Sequence, residues 1–128
     1  SGMSPVLLKA QAIAESGLNP DASSPVGAKG LCQFMDTTWA GLSANFVHVN
    51  VWNPEQSIRA QAAYMAELFR ECKTPELTLA AYNWGIGNVK RCTAENSVWP
   101  AHLPNETQNY LARIETNYQR YLKEKEST

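Results

Sequence analysis

Cysteine is scarce in this chain: Cys32, Cys72 and Cys92 are widely spaced and form no C-x-x-C pair. With only His48 and His102 to assist them, no metal site is expected. Buried or half-buried free thiols are the simpler expectation, and a Cys72–Cys92 disulfide is left open. Also missing is any apolar run near the ~18–20 residues that span a bilayer, which argues against membrane insertion. Neither charge sign dominates, since eleven Lys and Arg face twelve Asp and Glu for a net −1. The bulk positive field that favours phosphate backbones is therefore absent, and nucleic acid is not an expected partner. There is no repeat, no low-complexity tract, and no charged-then-apolar leader at the start. Ser1-Gly2-Met3 reads as a tag scar or domain cut, with residues 4–128 as one domain. Any export signal would lie outside this sequence.

What is present is an ordinary globular composition, 44% hydrophobic and 18% charged, spread over 128 residues. That length supports one hydrophobic core without staples. Ser4-Pro5, Asn53-Pro54 and Thr74-Pro75 each read as a helix cap followed by a proline at the first helical position. They predict helices from residue 5 to a stop at Gly17, from 54 to about Cys72, and from 75 to Gly85. Gln56, three residues after Asn53, suggests a capping box. Shorter helices are expected from Asp36 and from about Gly87 to Thr93, and an amphipathic one from Asn105 to about Lys125. Residues 46–52 alternate valines with His48 and Asn50, so a minor strand is expected there at most. Between Gly17 and Gly30 lies a Pro-, Gly- and Ser-rich stretch, interleaved with Leu18 and Val26, that reads as an ordered loop.

The first helix closes on Ala-Glu-Ser-Gly, residues 14–17. At 100° per residue Glu15 falls within about 20° of Leu8 and beside Ala12, with Gln11 its nearest polar neighbour. A carboxyl on that apolar face keeps its proton longer than one in water, which equips it as a general acid near neutral pH. A solvated carboxylate on a frayed last turn fits the helical pattern equally well, so position alone does not decide.

The surrounding blocks do more. ES at 15–16, SPVGAKGLCQFM at 24–35, AAYNWGIGNV at 80–89 and LPNETQNYL at 103–111 together resemble the motif series of the family 1 lytic transglycosylases. The resemblance runs from about Val6 to Tyr121 and implies a mainly α, lysozyme-like single domain of the goose-lysozyme type. It implies that Glu15 is the one catalytic acid, protonating the MurNAc–GlcNAc oxygen and then, as carboxylate, taking the proton of the muramic C6 hydroxyl as 1,6-anhydromuramic acid forms. It further implies substrate binding by Ser24, Gln33, Met35, Tyr82, Asn83 and Glu106, with Ser16, Cys32 and Trp84 as further groove positions. No cofactor or metal is implied. The partner is a peptidoglycan glycan strand. The place of action is the bacterial cell wall, reached from the periplasm or by a phage virion or lysis protein, as a monomeric domain or within a larger phage or secretion assembly. Two places depart from the family pattern: GLMQ is GLCQ, with Cys32 for Met, and AYNAG is AYNWG, with Trp84 for Ala.

Competing assignments are weaker. Glycoside hydrolases need two carboxylates about 5–9.5 Å apart, whereas attack by an internal hydroxyl needs one. Asp21, Asp36 and Glu55 are candidate second carboxylates, but each sits where a solvated turn or helix-start acid is expected. Ser16 lacks the G-x-S-x-G elbow of an acyl-transfer nucleophile, and Gly85-Ile86-Gly87 follows a helix rather than a strand, unlike a phosphate loop. Trp39, Trp52, Trp84 and Trp99 are more naturally core than sugar platforms, Trp84 being the best platform candidate because it lies in the AYN block. A hydrolytic goose-type muramidase and a non-catalytic glycan-binding module are the alternatives to a transglycosylase.

Overall fold

The computed structural model describes residues 3–43 and 50–126. Among them are six α-helices: α1 (Pro5–Ser16), α2 (Asp36–Ser43), α3 (Pro54–Cys72), α4 (Pro75–Trp84), α5 (Ile86–Glu95) and α6 (Asn105–Glu126). A short 3-10 turn, Trp99–His102, joins α5 to α6. The mainly helical expectation is met. Most of the predicted strand, residues 46–49, lies outside the described residues, and Val51 and Trp52 form a turn leading into α3.

Local chemistry explains the helix starts. The Ser4 hydroxyl accepts from the Val6 N–H at 3.1 Å, Asn53 Oδ1 from the Gln56 N–H at 3.0 Å, and the Thr74 hydroxyl from the Leu77 N–H at 3.2 Å. Each satisfies a donor that the first turn leaves without an intrahelical acceptor, and the proline that follows has no N–H to satisfy. The capping box is modified: the Gln56 side chain reaches past Asn53 to accept from the Asn50 N–H at 2.8 Å. At the other end of α1, Gly17 adopts a left-handed φ of 66° and donates to the Ile13 carbonyl, a stop that glycine makes without a Cβ penalty.

Helix α1 packs chiefly on α6, and α3 on α4, while α4 also touches α5 and α6. Three apolar clusters result. Ala10, Met65, Leu79, Tyr110 and Ile114 fill the space between α1, α3, α4 and α6. Ala12, Leu31, Cys32, Phe34, Leu42 and Ala60 hold the 17–35 loop against α1, α2 and α3. Leu68, Ala80, Ala81, Val89, Cys92 and Leu103 join α3, α4 and α5 to the start of α6. Tyr82 packs against all three, so the ring of one α4 residue sits where the clusters meet. All three cysteines are free thiols, which closes the Cys72–Cys92 question in this structure.

The 17–35 loop is ordered, as expected. Lys29 pairs with both Ser23 and Phe34 in isolated antiparallel bridges, and Phe34, 2% exposed, plugs the second cluster against Trp39, Tyr64 and Tyr82. Gly30 has a φ of 81°, and a Cβ there would strike the Val51 carbonyl. The chain can pass so close to the turn before α3 only because that side chain is absent.

Candidate active site

Glu15 lies in the last turn of α1, half-buried. Among the residues whose burial is described, it is the one Asp or Glu that is not exposed. Across the α1–α6 interface the Tyr110 hydroxyl donates to its Oε2 at 3.0 Å. Burial pushes the Glu15 carboxyl from its ordinary 4.5 up to about 7. The Tyr110 bond and the Arg113 charge pull the other way, and Glu106 adds a small upward push. Desolvation dominates because taking the charged form out of water costs more than one neutral hydrogen bond and the Arg113 charge return.

Two phenols border the acid. Tyr110 is 1% exposed, and Tyr82 donates its hydroxyl to the Cys32 carbonyl at 2.8 Å. Burial, reinforced by the charge of Glu15, holds both well above the ordinary tyrosine range, so both are neutral hydroxyl donors. Cys32, fully buried beside the Ser57 hydroxyl, is likewise pushed up to about 12 and is a neutral thiol. The surroundings of Glu15 thus supply ring surface and neutral donors, with its charged neighbours confined to α6.

The other expected positions fall into two groups. Asn83 and Glu106 lie at the α4–α6 side, where Asn83 Oδ1 accepts from the buried Thr107 hydroxyl at 2.9 Å. Glu106 itself is exposed in the first turn of α6. Ser24 and Gln33 belong to the 17–35 loop and bond to its own backbone. The Ser24 hydroxyl accepts from the Ala28 N–H at 3.0 Å, and the Gln33 amide donates to the Ala22 and Gly30 carbonyls at 3.2 and 2.9 Å. Gln33 also carries a positive φ of 55°, held there by its pinned neighbours Cys32 and Phe34. Met35 follows, 42% exposed.

Ser16 is used structurally. Its hydroxyl donates to the Leu31 carbonyl at 2.6 Å and accepts from the Asn19 N–H at 3.2 Å, clamping the loop to the end of α1. Trp84 is half-buried against the third cluster at the close of α4. Trp39 packs against Phe34 with ring centroids 5.3 Å apart and planes tilted by 56°, a core role. Asp21, Asp36 and Glu55 are exposed, and the latter two pair with Lys29 and Arg59 at 2.9 and 2.6 Å. Among the described residues no three His, Cys, Asp or Glu side chains gather as metal ligands. A cavity of about 550 Å³ between α1, α4 and α6, lined by Leu7, Leu79, Leu111 and Tyr118, contains none of the candidate residues.

The residue that sequence reasoning missed is Tyr110. Its signal was available, because it is the final position of the E-T-x-x-Y block that begins at Glu106. Helical periodicity alone puts Tyr110 on the apolar face of α6 and says nothing of which helix its hydroxyl meets.

These features define a helical domain built around a single semi-buried carboxyl faced by tyrosines. The sequence profile of the Transglycosylase SLT domain matches residues 1–99, and the chain belongs to that family. It is 38% identical over 90 residues to membrane-bound lytic murein transglycosylase F of Serratia proteamaculans, and 37% identical over 90 residues to that of Yersinia enterocolitica. Each match covers 65% of this chain and 18% of the relative. The fold superposes on the 70 kDa soluble lytic transglycosylase of Escherichia coli with a TM-score of 0.82, at 26% identity over 94% of this chain and 22% of that one. An inactive mutant of the lytic transglycosylase Slt of Pseudomonas aeruginosa gives 0.82, at 27% identity over 95% of this chain and 22% of that one. The chain therefore spans about a fifth of the length of these relatives. The lysozyme-like helical fold expected from the motif series is the fold observed. No helix among the described residues is long and apolar enough to cross a membrane.

Proposed function

We propose that this domain is a peptidoglycan lytic transglycosylase that cleaves the MurNAc–GlcNAc β-1,4 bond at the bacterial cell wall without water, leaving 1,6-anhydromuramic acid. The observation that carries the proposal is that Glu15 is the one acid, among those whose burial is described, withdrawn from solvent. With its carboxyl pushed up to about 7, Glu15 holds a proton near neutral pH and can give it to the departing glycosidic oxygen. The carboxylate left behind accepts the Tyr110 hydroxyl, and is then the base that takes the C6 hydroxyl proton as that oxygen closes on C1. An internal nucleophile needs no second carboxylate to activate water, and the exposed Asp21, Asp36 and Glu55 offer no semi-buried one.

Substrate binding in this proposal falls to Ser24, Gln33 and Met35 on the loop, and to Asn83 and Glu106 across from it. Tyr82, its hydroxyl committed to the Cys32 carbonyl, builds the wall beside the acid. Trp84 at the end of α4 shapes the saccharide preference. Holding the C6 hydroxyl near attack geometry is a positional contribution that can be worth several kcal/mol. The relatives' names as lytic transglycosylases support this reading, as does a glutamate-to-glutamine change in the inactive Pseudomonas mutant. The test is digestion of purified glycan strands. The strands should shorten without a matching rise in reducing ends, whereas a muramidase would release one reducing end per cut and a binding module would cut nothing.

A further inference from the structure

Behind Tyr110 lies a run of buried amides that the chemistry of Glu15 does not by itself require. Gln11 and Gln61 are 0% and 1% exposed, on the facing sides of α1 and α3. Gln61 Nε2 donates to the Leu8 carbonyl at 2.9 Å and to Gln11 Oε1 at 2.8 Å. Gln11 Nε2 donates to the Tyr110 hydroxyl oxygen at 2.9 Å and approaches the Met65 sulfur at 3.6 Å. Tyr110 donates onward to Glu15.

The direction of this run is set at its far end. The Leu8 carbonyl can only accept, so the Gln61 group facing it must be the NH2. That NH2 also faces Gln11, so Gln11 must present its oxygen there and its own NH2 to Tyr110. Either amide flipped would set donor against donor or acceptor against acceptor. The Tyr110 oxygen is then occupied as an acceptor, and its single proton has one use left.

We propose that Gln11 and Gln61 are positioning residues that fix the polarity of Tyr110, so that its hydroxyl donates to Glu15 and does not accept from it. The proposal rests on the reading of Glu15 as the acid. Donation favours the carboxylate, whereas a Tyr110 free to turn could accept from the protonated acid and favour that form. An occupied acceptor also polarises the phenol O–H and strengthens its donation. The pair therefore offsets part of the desolvation of Glu15 and readies it for its second role as base. The other groups facing Glu15 are Glu106 and Arg113 from α6, Tyr82 from α4 and Cys32 from the loop. Toward this network α3 presents the neutral Gln61 and Met65, with Tyr64 beside Tyr82 and Ser57 beside Cys32.

The test is a carbon-13 NMR titration of the Glu15 carboxyl in the full chain, which needs no substrate. Gln11→Leu should raise the Glu15 pKa by about half a unit or more. Because that change strands a Gln61 donor, the double variant Gln11→Leu/Gln61→Leu, apolar at both sites, is measured in parallel and should show the same rise in a well-folded protein. In a Tyr110→Phe background the double variant should shift Glu15 no further, since the effect passes through the phenol. An unchanged Glu15 titration in both folded variants would overturn the proposal and leave the amides as packing alone. A shift that persists in Tyr110→Phe would overturn it too. If the titrations shift as expected while the parent protein cuts no glycan, the enzymatic reading has failed and the polarity relay stands.

Discussion

Tyr110 on the last helix sets its hydroxyl 3.0 Å from Glu15 on the first, across 95 residues of sequence. Tyr110→Phe removes the hydroxyl that donates to the carboxyl, so the Glu15 pKa should rise above about 7 and the alkaline limb of activity should move with it. A hydrogen bond to a charged group is worth about 1.5–3 kcal/mol, so kcat should fall by roughly tenfold or more. KM should hold, because a residue 1% exposed does not touch sugar. Steady-state kinetics across pH check all three.

Glu15 should also leave a mark on stability. Its folded pKa is raised from 4.5 to about 7, so the native state binds the proton more tightly than the unfolded chain does. The resulting stabilisation is fully present below about 4.5 and is lost as pH rises through about 7. Glu15→Gln cannot ionise and should melt higher than the parent at pH 8, with the difference shrinking toward pH 4.5. Thermal unfolding at the two pH values measures it. The same variant should lose turnover by several orders of magnitude while still binding glycan.

The loop that carries Ser24 and Gln33 is held by Gly30 beneath the Val51 carbonyl. Gly30→Ala demands both a φ of 81° from an L-residue and room that the carbonyl occupies. A loss of about 2 kcal/mol or more is expected in denaturant unfolding. Activity per folded molecule should fall as well, because the loop cannot keep its place.

Asp21→Asn, Asp36→Asn and Glu55→Gln should each keep activity within about fivefold of the parent, since exposed acids and their surface ion pairs contribute little. A hundredfold loss at any one would identify a second working carboxylate.

What the sequence made legible was local or ordered along the chain. Ser4-Pro5, Asn53-Pro54 and Thr74-Pro75 announce helix starts because cap and proline act within one turn. The apolar face beneath Glu15 follows from Ala12 and Leu8, three and seven positions before it, and the motif blocks led to the family that the whole-domain comparison shows. The rest depends on which helices meet. Nothing within a few residues of Tyr110 indicates that Glu15 and Gln11 lie against its hydroxyl. Gln56 looked like a reciprocal cap, but the turn before α3 brings the Asn50 N–H within its reach. Gln33 in a positive φ has no local signature; its neighbours Cys32 and Phe34 are pinned by Tyr82 and the second cluster, and it takes the backbone angle they leave.

In the proposed reaction the nucleophile is the sugar's own C6 hydroxyl, with Glu15 serving first as acid and then as base. Mass spectrometry of muropeptides released in water enriched in heavy oxygen tests it directly. Products about 18 Da lighter than hydrolysed muropeptides, one water less and free of label, are expected. Reducing-end muramic acid carrying the heavy oxygen as the main product would contradict it, and would make the domain a muramidase.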